Sequence, residues 1–167
     1  MITEFQGEAK FLSNMYDLDT PIEINREGEV LPVVGDGGTV FLAETAEQAY
    51  QAAKFRGPEL RELVVGIADG VRAKRVARFV LKEGPGLLVP DWEEKKVEVM
   101  KLIVGAKFSN NPDLAERLVA TGTQVIQEGN TWGDEFWGVC PPVEGKGRNM
   151  LGVLLMDLRL QLASESG

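Results

Sequence analysis

The chain has 167 residues, 44% hydrophobic and 26% charged, which fits one globular domain with its own core. It has no histidine and one cysteine, Cys140, so an internal disulfide, a multi-cysteine zinc site and the commonest general base are all excluded. A formal charge of -8 argues against extensive nucleic-acid binding, which depends on neutralising phosphates, and with no membrane-length apolar run and no basic-then-apolar leader a cytoplasmic location is expected.

Short apolar stretches alternate with turn residues through the first quarter of the chain, at Asp19-Thr20-Pro21 and from Gly35 to Gly38. This predicts strands and loops, with Val30 to Val34 and Thr39 to Leu42 as a candidate pair around the glycine-rich turn. Thr45-Ala46-Glu47-Gln48 has the form of a capping box and opens a helix to about Arg56. Gly57-Pro58 starts a second, whose Leu60, Leu63, Val64 and Ile67 form an apolar stripe ending before Asp69-Gly70. A third helix runs through the basic cluster Arg72, Lys74, Arg75 and Arg78 to about Lys82. Asp91-Trp92-Glu93-Glu94 caps a longer one reaching about Phe108, and Asn111-Pro112 begins a short one that Thr121-Gly122 ends. Gln124 to Gln127 is strand-like. Asn149 is placed to cap a last helix that buries Leu151, Leu154, Leu155, Leu158 and Leu162. The expected class is α+β: a mainly helical single domain over residues 1–167 with a few short N-terminal strands.

On the first helix Glu47, Gln51 and Lys54 are spaced by four and three residues and share one face, with Tyr50 at its margin. A solvated helix shows the same kind of stripe. Glu47 lies in the first turn, where free amides and the helix dipole favour an anion; this suits a base or a charge stabiliser, whereas burial in a closed pocket pushes the other way. The basic cluster suits one or two phosphates, or a solvated face. From Glu128 to Gly138, Trp132 and Trp137 are interleaved with three glycines and with Asn130, Asp134 and Glu135, without helical periodicity. Such a loop can present indole faces and bare backbone to a flat ligand while Asn130 and Asp134 read its polar edge. Composition by itself favours a buried aromatic corner.

Several segments, in register along nearly the whole chain, resemble one family. They are Phe5-Gln6-Gly7, Phe11 to Tyr16, Glu47 to Phe55, Ala73-Lys74, Trp92 with Met100, Lys107-Phe108, the tryptophan loop, and Gly147 to Met156 with Arg159. Together they are similar to the NADAR superfamily of YbiA-like N-glycosidases. Two departures bear on substrate choice: Gln48 stands where relatives often carry histidine, and Lys74-Arg75-Val76-Ala77-Arg78 stands where many have Lys-x-x-Gly-Arg.

The resemblance implies a YbiA-like fold and hydrolysis of a bond between ribose and an exocyclic amine. The implied substrates are phosphorylated ribosylamino-pyrimidine intermediates of riboflavin biosynthesis. The alternatives are an ADP-ribosyl-guanosine hydrolase that reverses nucleic-acid ADP-ribosylation and, from another class, a non-catalytic sensor of ADP-ribose or NAD. The partner is thus a phosphorylated ribosyl or ADP-ribosyl small molecule, and neither cofactor nor metal is implied. On this resemblance Lys54 is expected to form a Schiff base, Glu47 to move protons and Asp134 to position sugar hydroxyls or water. A second scheme keeps the ring closed, with Glu47 activating water, Asp134 assisting the leaving group and Lys54 only binding. Trp132 or Trp137 would stack on the heterocycle, with Trp92 a further wall, and Tyr50 would contact the substrate. Asn14, Asn130 and Asn149 would read polar edges, and Lys74, Arg78 and Arg148 would take phosphate. Glu47, Lys54 and the tryptophan loop are expected to converge on one hollow.

Overall fold

The computed structural model describes residues 1–32, 35 and 40–165, and the chain divides into two compact units. One is Asn14–Asn111; the other joins Met1–Ser13 to Pro112–Gly167. Six α-helices and a two-stranded antiparallel sheet among the described residues make the class α+β and mainly helical.

In the Asn14–Asn111 unit, β1 (Ile22–Asn25) pairs with β2 (Val40–Ala43), Ile22 opposite Ala43 and Asn25 opposite Val40. Ile22, Ile24, Phe41 and Ala43 are buried while Leu42 faces out, the alternation expected of a sheet covered on one side. The partner of β2 is therefore β1, whose two isoleucines supply the apolar face. Of the stretch Val30 to Val34, Val30 makes an isolated bridge to Ile24. Val33, Val34, Thr39 and the turn at 36–38 lie outside the described residues.

The capping box at Thr45 forms as read. Thr45 Oγ1 accepts from Gln48 N at 3.1 Å, and Gln48 Oε1 accepts from Thr45 N at 2.8 Å. It opens α1 (Ala46–Ala53), every residue of which is buried. Around α1 pack the sheet, α2 (Pro58–Val65), α3 (Gly70–Glu83) and α4 (Trp92–Ser109). Gln48 also donates through Nε2 to Ile67 O at 2.5 Å, so the residue that departs from the family pattern is fully buried and spent on structure.

Two expectations need correction here. The inner face of α2 runs through Val64 and Arg61, while Leu63 is 51% exposed. Arg61 does the work of an apolar stripe: its guanidinium donates to Arg26 O and Arg56 O, over Gly28, where a Cβ would strike it. α2 ends at Val65, before Asp69-Gly70 as expected, and Asp69 caps α3, accepting from Val71 N at 2.9 Å. Asp91 precedes α4 in a left-handed conformation (φ 57°) and makes no side-chain cap bond.

In the other unit, Ile2 N donates to Val125 O and Gln127 N donates to Ile2 O, each at 2.8 Å, which gives the strand-like 124–127 stretch its partner. Here α5 (Pro112–Ala120) packs on α6 (Met150–Glu165), which buries Leu151, Leu154 and Leu155. Asn149 sits just before α6 at φ 50°, but its side chain does not cap the helix. Its Oδ1 accepts from Glu128 N and its Nδ2 donates to Ile126 O, both at 2.9 Å. The first amides of α6 are met instead by carbonyls of the tryptophan loop, Met150 N to Phe136 O and Leu151 N to Trp137 O, each 3.1 Å. No helix among the described residues is long and apolar enough to cross a membrane.

Candidate active site

Small residues let α3 close on α1. Ala46, Ala49, Ala52 and Ala53 of α1 and Gly70, Ala73 and Ala77 of α3 are all buried. A Cβ at Gly70 would lie 3.0 Å from Met15 Sδ and 3.7 Å from Glu47 Cβ, so glycine is what permits this approach. The close packing puts Lys74 Nζ 4.0 Å from Glu47 Oε1. Glu47 itself is 6% exposed and occupies the first turn of α1, its amide donating to Asn14 O at 2.9 Å. Four residues on, Gln51 Nε2 donates to Glu47 Oε1 at 2.7 Å.

Lys54 closes the helix. Its Nζ stands 4.8 Å from the Tyr50 ring centroid and 6.0 Å from that of Trp92, and the two rings pack 5.3 Å apart. Among the described residues no carboxylate lies within 4.0 Å of this amine and no acceptor hydrogen-bonds to it. Burial, partly offset by Glu47 and assisted by the cations Lys74 and Arg78, with Glu93 opposing, brings the Lys54 ammonium from its ordinary 10.5 down to about 8. A cavity of about 190 Å³ is lined by Gln51, Lys54, Lys74, Arg78 and Leu81. That is smaller than the roughly 300–1,000 Å³ of drug-sized sites and suits a sugar-phosphate fragment. Three of its five lining residues are cations, so its preference is for an anion.

Trp92 and Tyr50 are buried against each other and serve as the wall behind Lys54. Asn14 places Nδ2 3.4 Å from Met100 Sδ, and its buried Oδ1 has no hydrogen-bond partner among the described residues. Lys107 of α4 is 1% exposed beside the rings of Tyr16 (5.9 Å) and Phe108 (5.2 Å), and burial lowers its ammonium to about 7. The folded form therefore gives up its proton before the unfolded chain, whose lysine keeps it to about 10.5. Between pH 7 and 10.5 the unfolded state binds more protons, so this group makes stability rise with pH, by up to about 1.4 kcal/mol per pH unit. Urea unfolding across that window should show the rise, and Lys107→Met should remove this share of it while being more stable than the parent at pH 7.

In the second unit, Asn130 and Asp134 build the tryptophan loop. Asn130 Nδ2 donates to Asp134 O (2.8 Å) and Val139 O (3.3 Å), and Asn130 Oδ1 accepts from Asp134 N (3.0 Å). Asp134 Oδ1 accepts from Phe136 N (3.1 Å) and Trp137 N (2.9 Å). Asn130→Ala strips three hydrogen bonds from a buried position and should cost about 2–3 kcal/mol in denaturant unfolding. Trp137 is half-buried, edge-on to Phe136 at 4.9 Å, and the Arg148 guanidinium lies 4.8 Å from the Phe136 centroid. Trp132 is 69% exposed.

Within the Asn14–Asn111 unit the fold thus brings together Glu47, Tyr50, Lys54, Lys74, Arg78 and Trp92, with Asn14 bound to Glu47 through its backbone. Asn130, Trp132, Asp134, Trp137, Arg148 and Asn149 belong to the other unit. Leu81 and the wall-forming part of Gln51 were missed as site residues. Their spacing carried the signal, Leu81 lying three residues past Arg78 and seven past Lys74 on one helix face.

Comparison with known proteins gives one family. The NADAR domain model matches residues 3–163. The N-glycosidase YbiA of Escherichia coli (strain K12) is 37% identical over 134 residues, covering 80% of this chain and 78% of that one. The chloroplastic riboflavin biosynthesis protein PYRR of Zea mays is 38% identical over 133 residues, 76% of this chain but 21% of that protein. A riboflavin biosynthesis protein of Vibrio vulnificus is 36% identical over 152 residues, 91% of this chain and 35% of that protein. The chain thus spans a fifth to about a third of those two relatives. The NMR structure of E. coli YbiA matches with a TM-score of 0.73 at 29% identity, covering 99% of this chain and 87% of that one.

Proposed function

Because the chain belongs to the NADAR family, we propose that it is an N-glycosidase cleaving the bond between ribose C1 and the exocyclic amine of a phosphorylated ribosylamino-pyrimidine. Residues 3–163 act in this as one domain. The observation that carries the reading is Lys54: an amine lowered to about 8, backed by aromatic rings, with no carboxylate paired to it among the described residues, on the wall of a cation-lined cavity.

The chemistry follows from the substrate. The exocyclic nitrogen expels the ring oxygen, which takes up a proton, and leaves an open-chain iminium at C1. Neutral Lys54 Nζ adds to C1; a proton passes to the departing nitrogen, the amine leaves, and the sugar is held as an iminium on Lys54. Glu47 takes a proton from water as it adds to C1, and collapse of the carbinolamine frees the aldehyde sugar and Lys54. The sum is one water consumed, one amine and one sugar phosphate released. Lys74 and Arg78 hold the phosphate as charge-assisted donors. Asp134 and Asn130 shape the loop that displays Trp132.

The reading is tested by incubating the protein separately with a phosphorylated ribosylamino-pyrimidine and with ADP-ribosyl-guanosine and following products by mass spectrometry. Release of ribose phosphate from the first is expected. Release from the second alone would move the assignment to a nucleic-acid repair hydrolase, and saturable binding without any product would make the protein a sensor.

A further inference from the structure

Glu47 and Lys54 stand seven residues apart on one helical face, about 10.5 Å by helix rise, so only fully extended side chains could pair, and if they did the amine would be held charged. Here they do not. Glu47 Oε1 instead accepts from Gln51 Nε2 at 2.7 Å and lies 4.0 Å from Lys74 Nζ, while Lys54 Nζ is turned over the Tyr50 ring at 4.8 Å. Gln51 stands between the two on the same face, is 3% exposed, and contributes to the cavity wall. An ionised carboxylate can only accept, so the amide must present its NH2 to Glu47 and leave its Oε1 for the cavity. That oxygen makes no hydrogen bond among the described residues.

We propose that Gln51 is a positioning residue whose amide occupies the Glu47 carboxylate and so prevents the acid from closing an ion pair on Lys54. It acts through Glu47 and Lys54 and need not touch the reacting atoms. The charged groups that bear on Lys54 are Glu47 on its own helix, Lys74 and Arg78 on α3 and Glu93 on α4. With Gln51 in place, the two cations and burial outweigh the two carboxylates. Without it, Glu47 is the group free to move closer. The role rests on the proposed use of Lys54 as nucleophile, and its test is chosen to need no turnover.

In the intact protein, the protonation midpoint of Lys54 is read by pulse labelling with acetic anhydride at increasing pH and mass spectrometry of the Lys54 peptide. Gln51→Met, close in bulk but without a donor, should raise the midpoint by about one pH unit or more, the effect of an opposite charge brought within ion-pair distance. Gln51→Leu provides a second amide-free replacement, and circular dichroism selects the variant that keeps the fold. In a Glu47→Gln background the same change should leave the midpoint where it was, because no carboxylate remains to be released. An unchanged midpoint in the wild-type background would overturn the proposal, as would an equal rise with Glu47→Gln, which would signal simple loosening and hydration of the pocket. Should the midpoints behave as expected while no N-glycosidic substrate is cleaved, the reaction is misassigned and the positioning role stands; cleavage without the shift gives the reverse.

Discussion

Lys54→Ala should lose sugar release by roughly three orders of magnitude or more, since the covalent step passes through the Lys54 amine. Lys54→Arg is the sharper variant. It keeps the cation beside Tyr50 and Trp92 but cannot lose a proton in the accessible pH range, so it should be as inactive as alanine while still binding sugar phosphate. If Lys54 served only as a fixed charge, arginine would retain most activity. The pH profile of the parent carries the same information. With the ammonium at about 8, only about a tenth of Lys54 is neutral at pH 7, so kcat/KM should climb about fivefold from pH 7 to 8, roughly double again above that and then level off. Removing a positive neighbour with Arg78→Gln should move that limb to higher pH, because Arg78 is one of the charges that hold the proton off.

Glu47→Gln should lower kcat by roughly two to four orders of magnitude, the usual worth of a positioned general base. The substitution is nearly isosteric in a buried site, so the helix and its capping box should survive and KM should change little. Its effect on the pH limb has the opposite sign to that of Arg78→Gln. Glu47 favours the charged form of Lys54, so its neutralisation should shift the acid limb to lower pH even as the maximal rate falls. Near-normal turnover in this variant would remove Glu47 from the chemistry.

What the sequence made legible was local. The box at Thr45 and Gln48 and the shared face of Glu47, Gln51 and Lys54 depend on spacings of three and four residues, and both appear in the structure. The basic run on α3 was likewise placed on the right helix. The misread elements depended on partners distant in sequence. Arg61 replaced an apolar stripe because its long stem and fork reach carbonyls at 26 and 56. Asn149 looked like a cap, but its amide is used by residues 126 and 128, over twenty positions earlier. Asn130 and Asp134, read as facing a ligand, have in addition a local role, since backbone donors and acceptors of their own loop engage them. Lys107 carries no sequence mark of its near-complete burial. Gln51 was visible on the stripe, but its significance required knowing that Lys54 turns to an aromatic ring and leaves Glu47 to the amide.

The central claim is that Lys54 forms the covalent link to the sugar. The most direct measurement is sodium borohydride reduction during turnover of a phosphorylated ribosylamino-pyrimidine, followed by peptide mass spectrometry. Stoichiometric loss of activity, with a reduced pentose phosphate fixed on the peptide carrying Lys54, is the expected result. Product formation with no adduct, or an adduct on another lysine such as Lys107, would contradict the account.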